Sequence, residues 1–436
     1  MMKMSKKRKM MIGVTMAILY SLSFLITQPT TSTADSTNFP SQNGDWIVNT
    51  TTYVDDKTIV LNGNLIIKNN GNLTLNNITL LINCTYDGEY YIEVQDGGSL
   101  YIYNSNITAV NISCHYLFWV RNRSNFEMKN SELHECGYEP ETEYTDYLLG
   151  LVVETDGIII KNCIISNNYV GIILYSSFNI IKNNHILYNH IGVLLSASNN
   201  ITRNNISNNW CGVWACFPGS KNNHIYCNNF INNTNHAWDD GRDNYWDNGV
   251  NGNFWSNYPC SDADNDGIGE IPYHISSSPH GPVGAYEGKD NFPLMEPFDI
   301  IFPSSSIKIT GTTDANGWYI SNATVSITAT DTWSGVKKIY YRINNGSWQE
   351  YLEAFIINAD GTYVIEYYSI DNADNIEETK SSTVKIAVPP PEEPKKSQSK
   401  PALIPGFEII YIIIILSGCT ALIGRRKNIL NKKEDE

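Results

Sequence analysis

The sequence predicts an all-β chain in which a parallel β-helix is followed by a small β-sandwich. Three observations carry that reading. A block of about twenty residues recurs from Lys161 to Asn233: KNCIISNNYVGIILYSSFNII is followed 21 positions on by KNNHILYNHIGVLLSASNNIT, and a further shift of 20 lays Gly192 on Gly212. A period of this size marks a solenoid. Inside each copy the apolar residues fall at every second position, as in Val170, Ile172, Leu174 and Ile191, Val193, Leu195. That is strand spacing. From Ser304 the pattern changes, with Val325, Ile327 and Ala329 alternating strictly with Thr and Ser, as in a sheet with one buried face.

Taken in order, the chain opens with a signal peptide over residues 1–34. Lys6 to Lys9 precede an apolar run from Met10 to Ile26, and Ser32 and Ala34 suit cleavage after Ala34. Residues 35–56 are expected to form an N-terminal cap and residues 57–298 the β-helix. Thr58 to Ile82 and Tyr91 to Thr108 carry the strand alternation in looser form, with Gly63, Gly71 and Gly98 at corners. Asn111 to Tyr147 is less regular and includes Glu132, Glu135, Glu139, Glu141 and Glu143, which fits one coil with an inserted loop. Roughly nine coils follow from this reading, a cylinder of about 43 Å at one coil per 4.8 Å. Asn at the corners tolerates the left-handed backbone, and stacked Asn side chains can form amide ladders between coils. Cys211, in step with Val170 and Ile191, is expected to point inward, and Trp214 outward.

Residues 237–298 read as the C-terminal cap of the solenoid and residues 299–388 as the sandwich. Residues 389–404 are a Pro-rich, charged spacer. Residues 405–436 hold an apolar run from Ile409 to Gly424, then Arg425, Arg426 and Lys427, a basic flank that leaves everything earlier outside the membrane.

Three stretches resemble known families. The segment HAWDDGRDNYWDNGVNGNFWSNYPCSDADNDGIGEIPYHI from His236 to Ile275, then DNFPLMEP, is similar to the end of NosD-like right-handed parallel β-helix proteins, and with the Gly171, Gly192, Gly212 repeat the likeness covers about 57–298. The resemblance implies a right-handed solenoid on the pectate-lyase-like superfold, and copper-site assembly as one role of its namesakes. Ser334 to Tyr351 and Gly361 to Glu377 look like an Ig-like surface module, implying a spacer or adhesive unit. Pro405, Gly406 and Phe407 before the apolar run resemble a PGF-type archaeal sorting signal, implying a tail that is cut and replaced by lipid; a retained transmembrane helix is the alternative. The expected localisation is therefore exported and anchored at the cell surface.

The net charge of −15 excludes nucleic acid as a natural partner, because no basic stripe is available for phosphates. Asn-x-Ser/Thr sequons recur from Asn49 to Asn345, glycosylation sites in a host that uses them. Eight cysteines outside the membrane run suggest disulfides without fixing a pairing.

The sharpest chemical motif runs from Asp262 to Glu270. Asp262, Asp264 and Asp266 fall at positions 1, 3 and 5 of a calcium loop, Gly267 supplies the turn, Ile268 a carbonyl, and Glu270 the acid at position 9. Tyr273 stands where an EF-hand has its bidentate Glu, so Asp290 is a candidate to complete the shell. Structural calcium is the expected cofactor. Copper would require grouped His, Met and Cys; only Cys211, Cys216, His224 and Cys227 come close together in sequence. A lyase or glycoside hydrolase would need facing carboxylates, yet Lys161 to Asn233 contains no Asp or Glu, and the acids gather at Glu132 to Asp146, at Asp239, Asp240 and Asp243, and in the acidic loop. Trp210, Trp214, Trp238, Tyr245, Trp246 and Trp255 either seal the cap or stack on sugars. The expected function is non-catalytic: adhesion, envelope structure, or contact with extracellular glycans or other surface proteins. A carbohydrate-active enzyme and a copper-handling factor are the alternatives.

Overall fold

A computed structural model describes residues 44–139, 149–216, 219–279 and 287–387. The signal peptide, the Pro-rich spacer, the C-terminal anchor, Glu141 and Glu143 lie outside the described residues. Every regular element within them is a β-strand, and no helix among them is long and apolar enough to cross a membrane.

Each regular coil has three strands, as in Val170–Leu174, Ile180–Lys182 and His185–Leu187. Every strand pairs in parallel with its counterpart one repeat on: Val170 with Ile191 and then Cys211, Ile180 with Asn200 and then His224, His185 with Asn205 and then Asn229. The sequence period is thus the register of a parallel β-helix. Nine strands stack on the first face, from Trp46–Val48 to Asn235–Asp239. The other two faces merge through the long strand Asn72–Ile82, which pairs with both Ser99–Tyr103 and Asn106–Ala109. Parallel pairing already begins at Trp46 and at Thr51–Leu61, so the segment read as an N-terminal cap contains the first rung.

Alternation puts Ile160, Ile165, Ile172, Leu174, Ile181, Ile186, Val193 and Leu195 in the interior, each worth roughly 1.5–3 kcal/mol when fully buried. The corners use left-handed backbone at Asn162, Asn167, Asn183 and Asn208. Three columns of Asn, all buried except the half-buried Asn244, run along the axis: Asn168, Asn189, Asn209, Asn233; Asn179, Asn199, Asn223, Asn244; and Asn184, Asn204, Asn228, Asn253. In the third, each side-chain amide donates to the next Oδ1 at 3.0 Å, and each backbone amide donates to that same oxygen at 2.9–3.0 Å. The expected amide ladders are present.

Cys211 is buried as expected, but on the other face of its strand from the solenoid interior. With Val170, Ile191, Ile173, Leu194 and Trp238 it forms a separate cluster, while Ile172, Leu174, Val193 and Val213 belong to the interior. The reason is a bulge: Gly150 faces Val170 but Leu151 faces Ile172, leaving Gly171 as an extra residue that reverses the face. Glycine is required there, because a Cβ on Gly192 would lie 2.5 Å from the Gly212 carbonyl oxygen. Trp214, in register with Ile173 and Leu194, lies on the outer face as expected. No disulfide joins Cys84, Cys114, Cys136, Cys163, Cys211, Cys227 or Cys260; Cys136 and Cys163 are sealed in the core, where burial raises their thiols.

The second unit has a three-stranded sheet (Ser304–Thr310, Ala323–Thr330, Phe355–Ile357) and a four-stranded one (Val336–Ile343, Gln349–Glu350, Gly361–Asp371, Lys380–Ile386), both antiparallel. They share a core of Val325, Ile327, Ile365, Tyr367, Val384 and Ile386. The units meet where Asn229 clasps Phe298: its Oδ1 accepts the Phe298 amide at 2.7 Å and its Nδ2 donates to the Phe298 carbonyl at 2.9 Å.

Candidate functional site

Near this joint the flank of the solenoid forms a groove of about 490 Å³, lined by Lys182, Asn200, Thr202, Arg203, Tyr226 and Asn248 among others. Parallel register builds it. Lys129, Lys161, Lys182, Thr202 and Tyr226 stand one above another on successive coils. Neither Lys182 nor Arg203 forms an ion pair among the described residues. Burial, then the charges of Arg203 and Lys161, hold the Lys182 ammonium below its ordinary range. Arg203 is fixed by bonds to the Ala373 carbonyl (2.8 Å) and Asn375 Oδ1 (3.3 Å), with its guanidinium 4.9 Å from the Phe298 ring centre. The Oδ1 of Asn200 is buried without a partner. Two cations without an ion pair thus share one polar groove on a strongly acidic protein. Sequence reasoning missed it, though a signal existed. The corner occupied by Asn162 and Asn183 becomes Arg203 and Cys227 in later copies, still at φ 57°, a backbone that costs an ordinary side chain about 1–2 kcal/mol.

In the acidic loop, carboxylate oxygens of Asp262, Asp264 and Glu270 lie within 4.8 Å of one another, an oxygen-only set suited to a hard cation. The Asp266 carboxylate lies outside that group; the Asp266 amide donates to Asp262 Oδ1 (3.1 Å) and Asp266 Oδ1 accepts the Ile268 amide (2.8 Å). Asp290 does not join it either. It is fully buried in the cap, where Oδ2 accepts the Asn253 amide (2.7 Å) and Trp255 Nε1 (2.8 Å), and Oδ1 the Phe292 amide (3.1 Å). Its work is to end an Asn ladder, and burial pushes its carboxyl up to about 6. Asp239 ends another, accepting Asn244 Nδ2 and Trp246 Nε1, each at 2.8 Å.

Residues 47–260 match the family described as periplasmic copper-binding protein (NosD). This unit is a NosD-like parallel β-helix. The match stops before the acidic loop and the second unit, and no curated protein matches the chain.

Other candidate residues of the NosD-like unit are occupied structurally. Trp246 and Trp255 are fully buried and Trp238 nearly so. Tyr169, His190 and Trp210 stack face to face at 4.7 and 4.4 Å, one ring per coil, so their faces cover one another. His224 stacks on Tyr245. Glu132 pairs with His134 at 3.1 Å, a contact that holds its carboxyl below the ordinary range, and Glu135 is buried and bonded to Thr108. Asp240 accepts Trp214 Nε1 (2.8 Å) and both the amide and hydroxyl of Ser278 (2.7 Å each). Cys211 and His224 stand on different faces of the solenoid.

Proposed function

We propose that the protein is an exported, surface-anchored β-helix that binds an anionic extracellular glycan without cleaving it. The observation that carries this reading is the groove that holds Lys182 and Arg203, neither of them in an ion pair among the described residues. A carboxylated or sulfated saccharide supplies the anion that the two cations lack. Glu132 supports binding over hydrolysis, because its lowered pKa is opposite to the raised value a glycosidic general acid needs. The leader and the apolar C-terminal run followed by Arg425 and Arg426 support export and anchoring, and the Ig-like second unit would act as a spacer. Convergence of Asp262, Asp264 and Glu270 supports a structural calcium ion stapling the cap.

Copper fits these residues poorly. Among the described residues, the groups of three or more metal-capable side chains are all carboxylate, the wrong chemistry for a copper site. Met128, Cys136 and Cys163 are sealed in the core.

The test is binding of the full-length chain to polygalacturonate and to neutral dextran. The expected result is selective, salt-sensitive binding of the polyanion that Lys182→Ala weakens by about tenfold or more, the loss of one charge-assisted contact. Equal binding to dextran, an unaffected Lys182→Ala chain, or new reducing ends would each overturn the proposal.

A further inference from the structure

Three carboxylates converge at the joint between the units, away from both the groove and the acidic loop. Asp299 directly follows Phe298, the residue held by Asn229 of the solenoid. Asp331 opens the turn that leads into Val336–Ile343, and Asp371 closes the strand Gly361–Asp371. A carboxylate oxygen of each lies within 4.8 Å of the other two. Asp299 is 6% exposed and Asp371 0%, so water does little to screen their repulsion.

Their protein partners are all neutral. Asp299 accepts the Ile301 and Ser334 amides at 2.8 and 3.1 Å. Asp331 Oδ1 accepts the Trp333 and Gly335 amides at 3.0 and 2.7 Å. Asp371 accepts the amide and the side-chain Nδ2 of Asn375 at 2.7 and 2.8 Å. No Lys, Arg or His side chain pairs with any of the three among the described residues.

A separate observation points to a ligand. Asp331 Oδ2 and Ser334 Oγ are both shut away from solvent with no hydrogen-bond partner, although the Ser334 backbone already touches Asp299. Buried polar atoms are almost always satisfied, so an orphaned oxygen on one of the three carboxylates and a second on Ser334, whose amide binds Asp299, describe a coordination shell.

We propose that Asp299, Asp331, Asp371 and Ser334 hold a calcium ion that locks the second unit to the solenoid. The donors are all hard oxygens, which excludes soft metals. A buried shell rich in carboxylates suits calcium better than magnesium, which retains several waters. Because Phe298 is pinned to Asn229, an ion on the next residue would fix the angle between the units.

The test uses the full-length chain carrying Asp262→Asn and Asp264→Asn, so that the acidic loop cannot contribute. Terbium added to this chain is expected to luminesce on tryptophan excitation through Trp333, and calcium to displace it with one ion bound per chain. Asp331→Asn is expected to weaken that binding by about tenfold or more, as loss of a charged ligand does. Trp333→Phe, which keeps every ligand, is expected to abolish the emission while calcium still binds, and serves if Asp331→Asn does not fold. A natively folded chain that shows no sensitised terbium, or emission unchanged by either substitution, would overturn the proposal.

Discussion

Replacing Asn228 with alanine tests what holds the solenoid together. Asn228 is 0% exposed and sits mid-ladder. Its Oδ1 accepts the Asn204 amide at 2.9 Å and Asn204 Nδ2 at 3.0 Å. Its own Nδ2 donates to the Ile201 carbonyl at 2.7 Å and to Asn253 Oδ1 at 3.0 Å. Alanine removes these four contacts at once and leaves the Asn204 amide without its acceptor in a dry interior, although Asn253 Oδ1 keeps the Asn228 amide and Asn204 Nδ2 keeps the Ile181 and Thr202 carbonyls. At about 1 kcal/mol net per hydrogen bond the loss is about 4 kcal/mol, large against the usual effect of a single substitution. Asn205→Ala is the control, since the Asn205 Oδ1 has no partner, and it is expected to cost less than about 1 kcal/mol. Urea unfolding of the full chain, followed by tryptophan emission, reports on Trp246 and Trp255 around Phe230 in the adjoining coil. Because a solenoid transmits strain mainly to neighbouring coils, hydrogen exchange should quicken near Asn204 and Asn253 and stay slow at Trp46–Val48. If the two substitutions differ by less than about 1 kcal/mol, the ladders are not the source of stability.

Two further outcomes follow from the cap. His236 is buried, its Nδ1 meets Asn233 Nδ2 at 3.3 Å, and burial pushes its pKa down to about 4. A depressed folded-state value means stability is complete above the ordinary 6.5 and is lost as pH falls toward 4, by about 3 kcal/mol. Asp290, raised to about 6, works in the opposite direction over nearly the same window. Comparison with His236→Gln cancels that contribution, and parallel pH profiles for the two chains would refute the assignment. In the acidic loop, Asp262→Asn with Asp264→Asn is expected to shrink the rise in melting temperature that millimolar calcium produces, since an ion at 100 times its Kd adds about 2.7 kcal/mol. An undiminished rise, measured against EGTA, would remove calcium from the loop.

The fold was legible because its physics is local and repeated. Gly171, Gly192 and Gly212 announce the period, and the alternation of Ile172 and Leu174 announces the strand. The buried Asn columns followed from the corner composition. Cys211 was not legible, because a one-residue bulge at the glycine reverses the face and leaves the spacing of apolar residues unchanged. Asp290 was misassigned for a related reason: a carboxylate near an acidic loop and a carboxylate ending an amide ladder look alike in sequence. Asp299, Asp331 and Asp371 are separated by 32 and 40 residues, and only the tertiary fold brings them together.

A solenoid of this kind leaves little room for chemistry in its regular coils. Each ladder Asn uses its amide and its carbonyl on neighbouring coils, and each stacked ring covers the next. Binding capacity therefore arises where the repeat is broken. Arg203 takes a corner that Asn occupies in the two preceding copies and accepts a left-handed backbone to do so. In that position it can reach Asn375 of the second unit and face the groove together with Lys182. At the far end, Asp239, Asp290 and His236 receive ladder amides that have no further Asn to meet. The same logic gathers carboxylates at the cap and the joint and keeps them out of the coils between Lys161 and Asn233, where the ladders already satisfy the backbone.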